Sequence, residues 1–149
     1  MKKLVEKLTI KDSKEKALRF LRVALSKKAV RPTLLRLNKL TPITDYFLIV
    51  SGGSARHATS IADAIIEDAH GDRTEAYSVE GLAQGNWVLL DYGEVIIHVF
   101  QNPVREFYDL EGLWSDAPRE IFPPDIIEEI EANKDMEQEN EDESSSNML

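Results

Sequence analysis

The chain has no cysteine. Disulfides, thiolate catalysis and cysteine-held zinc are therefore excluded. That suits a reducing cytoplasm, which is the expected location. No apolar run approaches the roughly 18 residues of a membrane span. The N-terminus, "MKKLVEKLTIKDSKEK", carries lysines without the apolar stretch of a signal peptide. Aromatic residues are sparse, at 7%. Positive charge is in deficit: 18 Lys and Arg face 27 Asp and Glu, a net charge of -9. A broad basic face for nucleic acid is not expected. A basic protein surface is the better-matched partner.

What is present suffices for one globular domain, since 149 residues bury a real core. Three parts are expected. Residues 1–12 form a Lys-rich leader and residues 13–122 the globular part. Residues 123–149 form an acidic tail that begins at Pro123 and Pro124. From Glu131 to Leu149 the tail holds seven acidic residues and one Lys, -6 of the chain's -9. Its last part has too little apolar surface to offset the entropy of ordering and reads as disordered. Ile126, Ile127 and Ile130 give one short amphipathic turn.

Periodicity supplies the elements. Ala17, Phe20, Leu21, Ala24, Leu25 and Lys28 fit one face of a first helix. Thr33 to Leu37 and Tyr46 to Val50 read as strands. Ala58, Ile61, Ala62, Ile65 and Ala69 form the inner stripe of a second helix. Ser54 suits its N-cap and Gly71 its C-terminal stop. Thr74 to Val79 is a third strand. "WVLLDYGEVIIHVF" is a hairpin of Trp87 to Asp91 and Glu94 to Phe100, turning near Tyr92-Gly93. A third helix starts at Asn102-Pro103 and places Phe107, Leu110 and Trp114 on one face. The expected fold is α/β, a mixed five-stranded sheet flanked by helices in the order αββαβββα. "FLIV" and "VIIHVF" are apolar on both faces and should be central.

"FLIVSGGSARHATSIADAII" has the layout of a phosphate loop, strand to Gly-Gly turn to helix. The specific loops do not fit. There is no G-x-x-x-x-G-K-[ST] and no G-x-G-x-x-G. A nucleophile elbow would need Gly where Arg56 stands. A nucleotidyltransferase loop would need two close carboxylates on the next strand, and "TEAYSVEG" offers Glu75 but no Asp-x-Asp or Asp-x-Glu pair. Asp91 and Glu94 are wrongly spaced to share a strand face, so Mg²⁺ would lack an anchor. The turn reads as a way for a helix to leave the sheet. His57, His70 and His98 make no H-x-x-x-H pair, and His98 in an apolar strand reads as a hydrogen-bonded core or interface residue. No metal, cofactor or catalytic group is expected. The feature that stands out is Trp87, Leu89 and Asp91 alternating along one strand face, capped by Asp91-Tyr92-Gly93-Glu94. An aromatic beside carboxylates and a Tyr fits an interface centre with an acidic rim. Periodicity alone leaves open a core Trp87 with solvated turn acids.

Three stretches carry a family resemblance. "ITDYFLIVSGGSARHATSIAD", "VEGLAQGNWVLLDYGEVIIHVF" and "VREFYDLEGLWSDAP" resemble the signature blocks of the ribosomal silencing factor, or Iojap-like, family, over about residues 14–118. The resemblance implies an α/β domain related to nucleotidyltransferases but without their catalytic carboxylates. It implies a non-enzymatic translational repressor, without cofactors, that docks on the large ribosomal subunit at ribosomal protein L-fourteen. Joining with the small subunit would be blocked sterically. The partner-binding residues expected are Trp87, Asp91, Tyr92 and Glu94, flanked by Asp45, Tyr46 and Glu80. A homodimer stays open. The rival readings are a nucleotidyltransferase with displaced carboxylates and a dimeric adaptor with another partner. Some positions depart from the family pattern. Ser26, Val30, Arg31 and Arg36 stand where acids are common, Pro32 for an aliphatic, Ser78 for a His and Glu94 for the commoner Asp. The tail lies outside the resemblance.

Overall fold

The computed structural model describes residues 2–147, with side chains described at Leu4 and from Ile10 to Gln138. Strands β1 (Val30–Arg36), β2 (Tyr46–Gly52), β3 (Ser78–Glu80), β4 (Trp87–Asp91) and β5 (Val95–Gln101) form one mixed sheet in the order β1-β2-β5-β4-β3. The two strands expected to be central are neighbours. β2 and β5 pair in parallel, from Tyr46 with Val95 to Gly52 with Gln101, and the other pairs are antiparallel. All of β2 is buried, and so is β5 up to Phe100, as expected for strands covered on both faces.

Helices α1 (Lys2–Ser26) and α2 (Ala55–Gly71) cover one face. The α2 stripe of Ala58, Ile61, Ala62, Ile65 and Ala69 packs with Leu48, Val50, Val88, Leu90, Ile97 and Val99. Each fully buried Ile there contributes about 1.5–3 kcal/mol. Ser54 caps α2, its hydroxyl accepting from the His57 N–H. The opposite face carries Leu35, Leu37, Phe47, Ile49, Ile96 and Phe100 under Leu110 and Ala117. Its cover is smaller: α3 (Asn102–Tyr108) and the one-turn α4 (Leu110–Leu113).

The structure differs from the sequence reading in four places. The Lys-rich leader is not separate, because α1 runs unbroken from Lys2 through residue 12 and into the core. The third strand is short, Ser78–Glu80, and exposed. The third helix is two helices. Asp109 adopts a left-handed conformation with φ 45, and its side chain caps the next turn by accepting from the Gly112 N–H. The break turns Leu110 inward and leaves Phe107 81% exposed, so the two do not share a buried face. The tail contains helix α5 (Pro124–Asn147) instead of disordered chain. Ile126 is buried against α1's apolar face, and Asn133 is buried. The Asn133 amide donates to the Leu25 carbonyl in the last turn of α1 at 2.9 Å and to the Ala29 carbonyl just beyond it at 3.0 Å. Hydrogen bonds and one apolar anchor give this segment the order its composition does not suggest. The expected boundary at residue 122 is thus crossed by contacts, while residues 139–149 lie outside the described side chains.

Candidate functional site

The Gly-Gly turn is occupied by the protein itself. The His57 Nδ1 accepts from the Gly53 N–H at 3.0 Å, and its Nε2–H donates to the Lys27 carbonyl at 2.7 Å. A Cβ on Gly52 would sit 2.9 Å from the Ala58 nitrogen, so the glycine allows close approach of α2 to β2. Among the described residues no group of three or more His, Cys, Asp or Glu is placed to hold a metal ion.

The seven expected partner-binding residues fall into two groups. Trp87, Leu89 and Asp91 are half-buried on the face that α3 and α4 cover only in part. Glu80 pairs with Leu89 across the β3–β4 ladder and is exposed on the same face. These residues make an apolar strip with carboxylates at its edge. Asp91 is partly engaged, its Oδ1 accepting from the Gly93 N–H at 2.8 Å and holding the hairpin turn.

The second group turns towards α1. Tyr46 and Tyr92 are each only 1% exposed, within the cluster under α1 and α2. Their side chains therefore do not lie on the surface, which corrects their place in an exposed site. Strand alternation is the reason for Tyr46, which shares its side with Leu48 and Val50. Tyr92 lies against Phe20 at 4.6 Å, and burial raises its pKa, with Glu75 adding to the rise. Burial likewise pushes Tyr46 up strongly. Asp45 accepts from the Ser13 hydroxyl at 2.6 Å. Glu94 is exposed but paired with Lys16 at 3.0 Å. Partial burial pushes the Glu94 pKa up, but its own backbone N–H and Lys16 outweigh that and hold it below the ordinary carboxylate value. The turn acids expected to form one rim thus face different neighbours.

Trp87 is neither a free anchor nor a sealed core residue. Its indole N–H donates to the His98 Nδ1 at 3.0 Å. Its ring stacks on Phe100 at 5.0 Å and leans on Tyr108 at 4.8 Å. His98 is buried, and desolvation pushes its pKa down to about 3, so it is neutral with the proton on Nε2. The Nε2 atom has no hydrogen-bond partner.

The sequence reading missed the residues that hold and extend this face. Arg105 is 2% exposed. It donates to Glu111 at 2.9 Å, the Ser51 hydroxyl at 2.9 Å, the Thr33 hydroxyl at 3.1 Å and the Arg31 carbonyl at 2.5 Å. One guanidinium thereby ties α3 and α4 to β1 and β2. Burial lowers its pKa, and Glu111 offsets part of that. The result is an exposed ridge: Phe107 is 81%, Tyr108 54% and Leu113 77% exposed. The Arg and Glu in "REFYDLEGLW" were the available signal, but their spacing reads as surface charge on a single helix.

Fold and face together define a small α/β binding domain, one side of its sheet sealed and the other half-open with apolar and acidic residues. The comparisons with known proteins agree. A family model described as "Ribosomal silencing factor during starvation" matches residues 10–148, through α5 and beyond the stretch where the signature blocks lie. The chain belongs to the ribosomal silencing factor family. It is 39% identical over 92 residues to "Ribosomal silencing factor RsfS" of Halalkalibacterium halodurans, covering 62% of this chain and 79% of that one. It is 37% identical over 92 residues to the Bacillus subtilis protein of the same name, covering 62% and 78%. A mouse protein, "Mitochondrial assembly of ribosomal large subunit protein 1", is 35% identical over 75 residues, 48% of this chain and 33% of that one. A crystal structure from Bacillus halodurans matches with TM-score 0.64 and 32% identity, covering 72% of this chain and 99% of that one.

Proposed function

We propose that this protein is a cytoplasmic translational repressor that docks on the large ribosomal subunit and sterically blocks joining with the small one. The partner surface would be basic ribosomal protein L-fourteen. Family membership supports a ribosome-associated silencing role. A relative named for assembly of the mitochondrial ribosomal large subunit supports that subunit as the partner. The observation that carries the docking reading is the half-open strip of Trp87, Leu89 and Asp91 beside Glu80. Apolar area at the centre and carboxylates at the edge suit a basic protein surface. Tyr46 and Tyr92 lie on the opposite side of the sheet in the cluster under α1 and α2, and Asp45 and Glu94 bond to Ser13 and Lys16 of α1.

Sedimentation with separated subunits tests it. The protein should co-migrate with free large subunits and reduce the yield of joined ribosomes. Asp91→Arg should weaken that binding by at least about tenfold, through like-charge repulsion with a basic partner, and less so at high salt. Undiminished joining at saturating protein would sink the reading. Co-migration with small subunits alone would also defeat it.

A further inference from the structure

The two ends of the sheet differ in charge. One end is marked by the pairs Val30 with Ser51, Gly52 with Gln101 and Trp87 with Phe100. The stretches that meet there, residues 26–31, 51–60, 81–87 and 99–104, contain no Asp or Glu, although 27 of the 149 residues are acidic. The other end is marked by Tyr46 with Val95 and Asp91 with Ile96, and it carries Asp45, Asp91 and Glu94.

Three cations stand at the acid-free end. Lys27, Lys28 and Arg56 are exposed, and none forms an ion pair among the described residues. Earlier on α1, by contrast, Lys14, Lys16, Arg19 and Arg22 each pair with an acid. The backbone holds the three together. Lys28 adopts a left-handed conformation with φ 67 just past the end of α1. His57, next to Arg56, donates to the Lys27 carbonyl at 2.7 Å, which joins the first turn of α2 to the end of α1. The same ring accepts from the Gly53 N–H at 3.0 Å, so the turn itself is closed to a small anion. Arg31 adds little, because it pairs with Glu106 at 3.3 Å. Towards α5 the patch ends in mixed charge, where Glu131 and Glu137 line a groove with Arg31 and Lys134.

We propose that Lys27, Lys28 and Arg56 contact RNA phosphates of the large ribosomal subunit while the strip on β4 docks on protein. The identity of the polyanion rests on the large-subunit reading above. Cations spread over two elements suit charges spaced along a backbone, not one phosphate in a pocket. A lipid surface fits less well: among the described residues, no large apolar side chain is exposed in residues 26–31 or 51–60 to anchor in it. An acidic protein is not what the docking reading places beside this domain. On a ribosomal subunit the anion next to a basic protein is the RNA backbone. Such contacts carry no sequence information and fix orientation. With acids at one end of the sheet and free cations at the other, one orientation is favoured and the reversed one is penalised.

The test titrates the isotope-labelled full chain with a short RNA duplex at low salt and follows the amide resonances. Controls are a polyglutamate peptide of equal charge and phosphatidylglycerol vesicles. The expected result is a set of shifts centred on residues 26–31 and 52–60, with RNA bound more tightly than either control. Lys27→Gln combined with Arg56→Gln should weaken both RNA binding and large-subunit co-sedimentation by at least about tenfold, and should lower the salt slope by about two. Lys39→Gln, on an exposed residue of the β1–β2 loop at the acidic end, should change both by less than about twofold. The three side chains are exposed, so these variants should melt like the parent. Absent or scattered shifts, equal binding of polyglutamate, tighter binding of vesicles, or unchanged affinity in the double variant overturns the proposal. If the parent co-sediments with large subunits and the double variant does so equally well, this inference falls alone. If RNA binds as expected and the parent does not co-sediment, the large-subunit reading falls and the patch keeps RNA as its ligand.

Discussion

On one side of the sheet, α2 lays a stripe of Ala and Ile residues onto the strands, and α1 and α5 close round it. On the other, a seven-residue helix and a four-residue helix cover the β1–β2–β5 part and leave β4 half-exposed. The closed side is held mainly by apolar area, with the Asn133 amide adding two bonds where α5 meets the end of α1. The half-open side has too little area to hold its helices that way and relies on a buried guanidinium. A face left partly uncovered depends for the cover it has on a few specific bonds.

The sharpest way to break this contrast is at Arg105. Arg105→Ala removes four hydrogen bonds and leaves the largely buried Glu111 carboxylate unpaired. A loss of about 3–5 kcal/mol is expected in urea unfolding. A loss under about 1 kcal/mol would show that apolar packing holds α3 and α4 after all.

Next comes a matched pair. Ile65→Ala opens a cavity on the closed side and should cost about 2–5 kcal/mol. Leu113→Ala, on an exposed residue of α4, should change stability by less than about 0.5 kcal/mol. Similar costs for the two would mean that the second face is as sealed as the first.

A further test is the dependence on pH. The folded pKa of His98 lies near 3, below the 6.5 of an ordinary imidazole, so the unfolded chain takes the proton more readily. Its contribution is intact above about pH 6.5 and declines as pH falls towards 3, by at most about 1.4 kcal/mol per unit. His98→Phe should flatten the stability curve between about pH 6 and pH 4 relative to the parent, because carboxylates common to both cancel in the difference. Parallel curves would show that the imidazole is reached by water.

Much of the fold could be read from pattern. The apolar runs Phe47 to Val50 and Val95 to Ile97 fall in β2 and β5, the neighbouring parallel strands, and β4 alternates as its partly exposed face requires. Ser54 caps α2 as its position suggests. What could not be read depended on contacts distant in sequence or on unusual backbone. Asp109 breaks a helix without Gly or Pro, through its left-handed backbone and its own cap. α5 looks solvent-bound in composition, and its order rests on Ile126 and Asn133 meeting residues of α1 about a hundred positions earlier. At the site, alternation identified Trp87, Leu89 and Asp91 as sharing a face. The burial of Tyr46 and Tyr92 depends on where α1 lies, which strand pattern does not reveal.

The Asn133 contact has a consequence for synthesis. It links residues 108 positions apart, and the Leu25 carbonyl it meets lies in the last turn of α1. While α5 is still inside the exit tunnel, that helix end is unfinished and the start of β1 is bare. Chains emerge at about 5–20 residues per second and fold as units, so completion of this domain waits until its last helix is free. The finished form of this domain therefore depends on α5 having folded back onto the end of α1.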